Sequence, residues 1–369
     1  MILKKSLIYL VALIISISLS AQQRKEIHIP DIPGYLTLKC DFHMHTVFSD
    51  GTVWPTVRVE EAWQEGLDAI SITEHLEWRP HSTDIIADHN RAYEIALPVA
   101  ERSGIILIKG AEITRGLPPG HLNTLFIKDA NLLRIKNVND ALREARDQGA
   151  FIIWNHPRHG QRDTTLWWEE HTYLLNNDLL HGIEVCNGYN FYPEALAWAN
   201  EKNLTMFGNT DIHGPIQMNY DMATTHRPMT LVFASEKTET SIKEALLNKR
   251  TVVYSENNLY GKPELLKSLF FESIQSSNKR LVHVKKKDLF IFLITNNSDI
   301  EYLLELAQPS VGFDCPEKIS LKAHHSVLVE LTGISEEVAQ LKTLDIHYFV
   351  RNMFISPDEN LNISLKIKN

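Results

Sequence analysis

Residues 36–45 read Leu-Thr-Leu-Lys-Cys-Asp-Phe-His-Met-His, and this stretch decides the fold class. The apolar run over 36–42 predicts a β-strand, and metal-capable side chains follow where it ends. Side chains two residues apart on a strand point the same way, so His43 and His45 can bind one ion. A carboxylate follows in the turn Ser49-Asp50-Gly51. Such an ending is typical of the mouth of an α/β barrel, where active sites lie.

The same pattern recurs at the ends of later apolar runs. Strands are predicted at Leu36–Phe42, Ala69–Ile72, Ile105–Ile108, Leu122–Ile127, Phe151–Trp154, Ile183–Cys186, Leu204–Phe207, Met229–Phe233 and Thr251–Tyr254. Metal-capable side chains near the carboxyl ends of these strands are His75, Glu112, His156, Asp211 and His213, whereas His121 opens the fourth strand. Because the carboxyl ends of barrel strands converge, we expect these side chains to share one site.

Helical stretches alternate with these strands, which favours a (β/α)-type barrel over an open sheet. The predicted helices are Pro55–Glu65, Ile85–Ser103, Asn139–Gln148, Pro193–Lys202 and Ser241–Lys249. After about Lys262 the helical periodicity weakens, and short strand-like runs are separated by polar turns. These runs predict a small antiparallel β-sandwich domain over 263–369, packed against a barrel domain over 22–262.

Composition places the chain among ordinary globular proteins, because 44% of its 369 residues are hydrophobic and 22% are charged. The formal net charge of −9 argues against a protein that coats nucleic acid or anionic lipid. The three cysteines, Cys40, Cys186 and Cys315, are widely separated, which excludes a disulfide scaffold and a thiolate zinc site. The chain is instead rich in histidine, with 17 residues.

The N-terminus has the pattern of an export signal. Lys4 and Lys5 precede an uncharged apolar run over 7–19, and the small residues Ser20 and Ala21 follow it. The run is too short to span a membrane, which takes about 20 apolar residues. We therefore expect residues 1–21 to be a cleaved signal peptide, and the mature protein to be periplasmic or secreted without a membrane span.

In combination and order, the polar motifs resemble those of the PHP (polymerase and histidinol phosphatase) family. The motifs are His43-x-His45, Ser49-Asp50-Gly51, Ile72-Thr73-Glu74-His75, Glu112, His121, His156 and Asp211-x-His213. The resemblance extends to about Tyr254 and implies a distorted (β/α)7 TIM-like barrel. An exported form with a C-terminal β-domain is most similar to the Sb-PDE group of phosphodiesterases. Glu74 departs from the usual Asp, and we expect it to hold a ring nitrogen or a water molecule.

The resemblance also implies two or three divalent metal ions. The implied ligand sets are His43, His45, Glu112 and Asp211 for the first ion; Glu112, His121 and His213 for the second; and Asp50, His75 and His156 for the third. Mixed imidazole and carboxylate ligands suit Zn, Mn or Fe(II).

The implied reaction is hydrolysis of a small-molecule phosphate ester, phosphodiesters preferred, by hydroxide held in the di- or trinuclear centre. One alternative is a phosphomonoesterase like histidinol phosphatase or a nucleotidase, whose dianionic substrate needs more cationic groups in the outer pocket. The others are a hydrolase of amides or carboxylic esters and a non-catalytic binding protein. A metal-competent residue at every ligand position argues against the last of these.

Three residues outside the ligand sets are candidates for catalysis. Arg158 closely follows His156, and Arg227 closely precedes the strand predicted from Met229. The planar guanidinium suits bidentate phosphate binding, so both arginines are predicted to contact phosphate. His226 is the candidate general acid for the leaving group.

Overall fold

The computed structural model describes residues 23–86, 88–161, 165–222, 224–284 and 287–368. The predicted signal peptide lies outside these ranges. The strands of the first domain are β1 Leu36–Asp41, β2 Ala69–Ile72, β3 Ile106–Ile113, β4 Leu122–Leu125, β5 Phe151–Trp154, β6 Gly182–Asn187, β7 Asn190–Phe191, β8 Thr205–Asn209, β9 Met229–Ala234, β10 Thr251–Ser255 and β11 Asn258–Gly261. Each of the nine predicted strands is present. Several are buried along their whole length, as a sheet covered on both faces requires.

Strand direction departs from the all-parallel arrangement of a regular (β/α) barrel. β1, β2 and β3 run parallel, and so do β5, β6 and β8. However, β4 runs antiparallel to β3 and β5, and β9 runs antiparallel to β1. The start of β4 therefore lies beside the carboxyl ends of β3 and β5. This reversal explains why His121, which opens β4, faces the same mouth as residues that end other strands.

The sheet curls until β8 approaches β9 and β10. The N–H of Gly208 donates to Thr230 Oγ1 at 3.0 Å, and that hydroxyl donates to the carbonyl of Gly208 at 3.0 Å. A Cβ added at Gly208 would lie 2.5 Å from Val253 Cγ1. A residue without a side chain is needed for so close an approach. These contacts complete a distorted barrel of the predicted type.

Helices cover the outside of the barrel strands. They are α1 Pro55–Gln64, α2 Arg91–Ser103, α3 Val138–Asp147, α4 Glu169–Asn176, α5 Pro193–Glu201, α6 Ile216–Asn219, α7 Glu239–Leu247 and α8 Pro263–Ser273, with a 3-10 turn at Ala130–Leu133. α2 begins later than predicted, because Asp88 Oδ1 accepts hydrogen bonds from the backbone N–H of Asn90 and from Asn131 Nδ2 and holds the preceding segment as a loop. The helices α4, α6 and α8 were not predicted. Within the described ranges, none of the helices is long and apolar enough to cross a membrane.

The C-terminal domain is the expected antiparallel β-structure. Its elements are β12 Ile274–Ser276, β13 Arg280–Val284, β14 Lys287–Asn296, β15 Tyr302–Leu306, β16 Lys318–Leu321, β17 Ser326–Leu331, α9 Glu336–Ala339, β18 Thr343–Ser356 and β19 Glu359–Lys368. One sheet contains β12, β13, β14 and β17, and the other contains β15, β16, β18 and β19. The second sheet continues into the barrel, because β18 pairs with β11.

Candidate metal centre

The nine predicted metal ligands lie together at the mouth of the barrel. Their donor atoms form four overlapping groups, and within each group all donor atoms lie within 4.8 Å of one another. The groups are His43, His45 and Glu112; His43, His156 and Asp211; His75, Glu112 and His121; and His45, Asp50, His75 and His213. Because these groups share members, the nine side chains form one continuous cluster.

The first implied set converges on one point. The Nε2 atoms of His43 and His45 lie 3.1 Å apart, and Asp211 Oδ1 lies 3.1 Å from the first and 3.0 Å from the second. Oxygens of Glu112 lie 3.6 Å from the same two nitrogens. All four side chains therefore direct donor atoms at a common centre.

The other two sets exchange one histidine relative to the prediction. His213 Nε2 lies 3.2 Å from Asp50 Oδ1, and His75 Nε2 lies 3.5 Å from the same oxygen. On the opposite side, His121 Nδ1 and His156 Nε2 lie 3.1 and 3.5 Å from Glu112 Oε1. By these distances His213 lies with Asp50 and His75. His156 lies beside Glu112 and near His121, and its donor atom also forms a group with those of His43 and Asp211.

The strand directions give the physical reason for this exchange. The antiparallel β4 places His121 beside the carboxyl end of β5, and the rings of His121 and His156 lie 4.9 Å apart. The segment after β8 crosses instead to the turn after β1, where the N–H of Thr52 donates to the carbonyl of His213 at 2.8 Å. Spacing along the sequence cannot reveal either neighbourhood.

Buried side chains fix the orientation of the ligand rings. Glu184, which lies within β6, accepts a hydrogen bond from His43 Nδ1 at 2.8 Å and another from the backbone N–H of His156 at 2.7 Å. Thr114 Oγ1 lies 2.6 Å from His75 Nδ1, and Asn155 Nδ2 donates to Glu112 Oε1 at 2.9 Å. Such partners hold a ring so that its other nitrogen can face a metal ion.

Glu74 contacts hydroxyl groups rather than the predicted ring nitrogen. Its carboxylate accepts hydrogen bonds from the hydroxyls of Thr46 and Ser49. Ser49 Oγ in turn lies 3.3 Å from His45 Nδ1. Glu74 therefore supports the histidine ring through a serine, and its extra methylene spans the turn after β1.

Arg58 on α1 joins the two segments that carry the first ligands. Its guanidinium is fully buried and donates to the carbonyls of His45, Ile212 and Gly214. Sequence inspection passed over both Arg58 and Glu184. The available signal was a charged residue inside an apolar pattern, since Glu184 interrupts an otherwise buried apolar strand.

Charge within the cluster is strongly perturbed. Burial, the largest single influence, would raise the pKa of Glu112, but the surrounding histidines together hold this pKa well below its ordinary value. Burial likewise opposes the shift at Asp211, where His43 again keeps the carboxyl pKa low. Burial lowers the pKa of His45 to about 4, so this ring is neutral at pH 7. At His43 and His75 the nearby carboxylates outweigh burial and raise the imidazole pKa, to about 10 at His75, so these two rings must lose a proton when a metal ion binds.

The donor set fits divalent cations. The Nε2 atoms of His43 and His45 face each other while their Nδ1 atoms contact Glu184 and Ser49. The two nitrogens and the carboxylate oxygen of Asp211 lie about 3 Å from one another, so all three can bind one cation placed between them. Imidazole and carboxylate ligands suit Zn, Mn or Fe(II).

Arg158 lies near the mouth, but its charge is already partnered. Its guanidinium pairs with Glu194 at 3.3 Å and lies over the ring of Tyr192 at 5.7 Å. Its side chain is 38% exposed, so a ligand can still reach it. The role of Arg158 in binding phosphate stays a prediction.

The structure does not support the catalytic roles predicted for Arg227 and His226. Arg227 is 1% exposed, and it donates to Glu65 at 2.5 Å and to Asp41 at 3.1 Å, so it neutralises two buried carboxylates rather than facing a substrate. The ring of His226 stacks on Tyr254 at 4.0 Å, and its Nδ1 donates to the carbonyl of Arg227. Its Nε2 is buried, so it is not placed to protonate a leaving group.

The chain is similar to known proteins along nearly its whole length. A two-domain protein of Bacteroides vulgatus, described as containing a predicted PHP-like metal-dependent phosphoesterase, is 45% identical. That match covers 94% of this chain and 100% of the other, with a TM-score of 0.88. A Bifidobacterium adolescentis protein described as a metal-dependent phosphoesterase is 19% identical over 50% of this chain and 94% of its own, with a TM-score of 0.39.

Two further matches concern single parts of the chain. An uncharacterised protein of Methanocaldococcus jannaschii is 27% identical in an alignment of 194 residues that covers 48% of this chain and 83% of that protein. Residues 274–366 match the family model of an Ig-like domain, within the C-terminal β-structure.

Proposed function

Because the chain belongs to the PHP-like metal-dependent phosphoesterase family, we propose that it hydrolyses small-molecule phosphate esters and prefers phosphodiesters. The observation that carries the proposal is the cluster of six histidines and three carboxylates at the mouth of the barrel. The cluster would hold two or three divalent ions, Zn, Mn or Fe. Bound ions would supply Lewis acidity towards phosphoryl oxygens and would lower the pKa of water.

The chain's own residues prepare the site for this chemistry. Glu184 and Ser49 orient the rings of His43 and His45, so that their Nε2 atoms face the centre. Asp211 and Glu112 keep low carboxyl pKa values and remain anionic at neutral pH. The ligands are therefore charged and oriented before a substrate arrives, which limits the reorganisation that the reaction requires.

The diester preference rests on the arginines near the mouth. Arg158 pairs with Glu194, and Arg115 pairs with Glu77. A phosphomonoester dianion needs more unpaired cationic groups than a phosphodiester monoanion. Two arginines whose charge is already balanced by carboxylates thus favour the monoanion. The likeness to the Sb-PDE group expected from sequence points the same way.

A rate panel on metal-replete protein tests the proposal. The substrates are bis(p-nitrophenyl) phosphate, p-nitrophenyl phosphate, a p-nitrophenyl phosphotriester and p-nitrophenyl acetate, with metal content measured in the same samples. We expect the diester to be hydrolysed fastest. Absence of hydrolysis of both phosphate mono- and diester would refute the esterase assignment, and equal rates on these two would refute only the preference.

A ligand variant and a matched control locate the activity. His43→Ala removes a ring from the first group, and we expect both metal content and hydrolysis to fall by at least tenfold. The exposed His325→Ala, in the C-terminal domain, should change neither. Unchanged metal content in the His43 variant would contradict the site.

Export of the mature protein is part of the same proposal. The support is the arrangement of residues 1–21, in which two lysines precede a short apolar run that is followed by small residues at the expected cleavage site. N-terminal sequencing of protein from the extracytoplasmic fraction should find a chain that begins near Gln22. An intact Met1 on soluble cytoplasmic protein would contradict export.

A further inference from the structure

A cavity of about 420 Å³ opens beside the metal centre, on the side of His121 and His156. One wall is the segment 114–117, and the opposite rim is His159 with Gly160. Ligand-binding pockets span roughly 300–1,000 Å³. The cavity therefore accommodates one substituted ring next to the centre.

The walls of this cavity favour an uncharged ligand group. Leu117 supplies apolar surface, and Trp154, which is 1% exposed, lies behind the lining. The guanidinium of Arg115 is engaged, because it donates to the carbonyls of Thr114 and Ile135 and pairs with Glu77. A cation whose charge and donors are already satisfied offers little to a second phosphate or a carboxylate.

His159 lies where this cavity meets the metal centre. His156 has φ 27°, a left-handed conformation that histidine rarely adopts, and its carbonyl accepts the N–H of His159 at 2.8 Å. This turn brings the ring of His159 within 5.1 Å of the His121 ring and 5.0 Å of the His156 ring. Strained turns persist where the surrounding structure enforces them, and they cluster at active sites.

We propose that the cavity binds the organic group of the ester, that this group is an uncharged ring-bearing alcohol, and that His159 donates a hydrogen bond to the phosphoryl group at the rim. The inference rests on the proposed function and specifies the substrate class of the same site. A neutral imidazole carries one N–H, so the contact requires no change in its protonation. An ester with a second anionic group on its ring is disfavoured.

Calorimetric binding of phosphonates to metal-replete protein tests the subsite without requiring turnover. The probes are methylphosphonate, phenylphosphonate and 4-carboxyphenylphosphonate. We expect phenylphosphonate to bind about tenfold more tightly than methylphosphonate, because its ring leaves water for the apolar wall. The carboxylated ring should lose most of that advantage.

Gly116→Leu tests the cavity itself. A Cβ at Gly116 would meet no atom within 4 Å, so the leucine side chain enters open space rather than the packed interior. The variant should abolish the advantage of the phenyl group and change methylphosphonate affinity by less than twofold. Equal binding of the two phosphonates by the unaltered protein, or a full phenyl advantage in the variant, would overturn the subsite.

His159→Ala tests the hydrogen bond. We expect it to weaken both phosphonates about fivefold, and we expect His159→Gln, which keeps a donor, to restore most of the loss. Metal content is measured in each variant, and it should equal that of the unaltered protein. Unchanged affinities in the alanine variant would overturn the contact. Ring discrimination without any hydrolysis would refute the proposed function while leaving the subsite in place.

Discussion

Glu184 offers the sharpest test of how the barrel organises its metal centre. Its Oε1 accepts from His43 Nδ1 at 2.8 Å and from Asn209 Nδ2 at 3.0 Å. Its Oε2 accepts from the N–H of His156 at 2.7 Å and from Asn187 Nδ2 at 2.8 Å. The side chain is fully buried, and each of these four neighbours donates to it.

Glu184→Gln keeps the shape but replaces one acceptor oxygen with a donor. Asn209 cannot turn its amide without cost, because its Oδ1 accepts the N–H of Phe42 at 2.9 Å. The new amide nitrogen therefore faces the His156 side and leaves that buried N–H unpaired, at a cost of about 1–3 kcal/mol. The two bonds kept by the neutral oxygen weaken by about 1 kcal/mol each. The expected loss in the free energy of unfolding is about 3–5 kcal/mol.

Two measurements separate structural from functional effects of this change. Urea unfolding of chelator-treated protein gives the stability loss. Metal titration of the folded variant should show affinity reduced by about 10–100-fold, since the ring of His43 is no longer held by a charged acceptor. The matched control is Glu201→Gln, at a carboxylate with an exposed side chain on α5, which should alter stability by less than about 0.5 kcal/mol. Glu184→Gln protein with the stability and metal affinity of the control would refute the reasoning.

Other perturbations test the surroundings of the centre. Arg227→Met leaves Asp41 and Glu65 buried without their cation and should lower the free energy of unfolding by about 3–5 kcal/mol. Unchanged stability together with weakened substrate binding would instead support the phosphate-binding role predicted from sequence. Gly51→Ala places a Cβ 2.7 Å from backbone atoms of the ligand-bearing turn. Urea unfolding should therefore show a free energy of unfolding lowered by about 1–3 kcal/mol, and the metal content should also fall. Stability and metal content equal to those of the unaltered protein would contradict that close packing. His171 is fully buried, and burial lowers its pKa to about 4, below an unfolded value of about 6.5, so its contribution to stability is complete above pH 6.5 and declines as the pH falls towards 4. Between pH 7 and pH 5 the chelator-treated protein should lose about 2 kcal/mol that His171→Asn does not lose, and equal losses in both proteins would exclude this histidine as the cause.

The identity of the ligand residues could be predicted from sequence because strand periodicity and strand endings are local properties. The run over 36–42 predicts a strand. β1 ends at Asp41, but His43 and His45 still direct their Nε2 atoms to one point, as side-chain alternation predicts. The boundary of α2 was less predictable, because hydrogen bonds accepted by the Asp88 side chain, rather than helix propensity, hold the segment before it as a loop.

The α/β barrel, the C-terminal β-domain and the set of metal-capable side chains were all predictable from residue type and spacing. Which of these side chains are neighbours became clear from the folded chain alone. The reversed β4 brings His121 to His156, and the segment after β8 brings His213 to Asp50. Arg227 is buried and therefore does not face the mouth, whereas the buried Glu184 holds the ring of His43 by a hydrogen bond. The physical reason is that residue type and spacing specify what a side chain can do, whereas strand direction and burial specify which partners it meets and how much water remains around it.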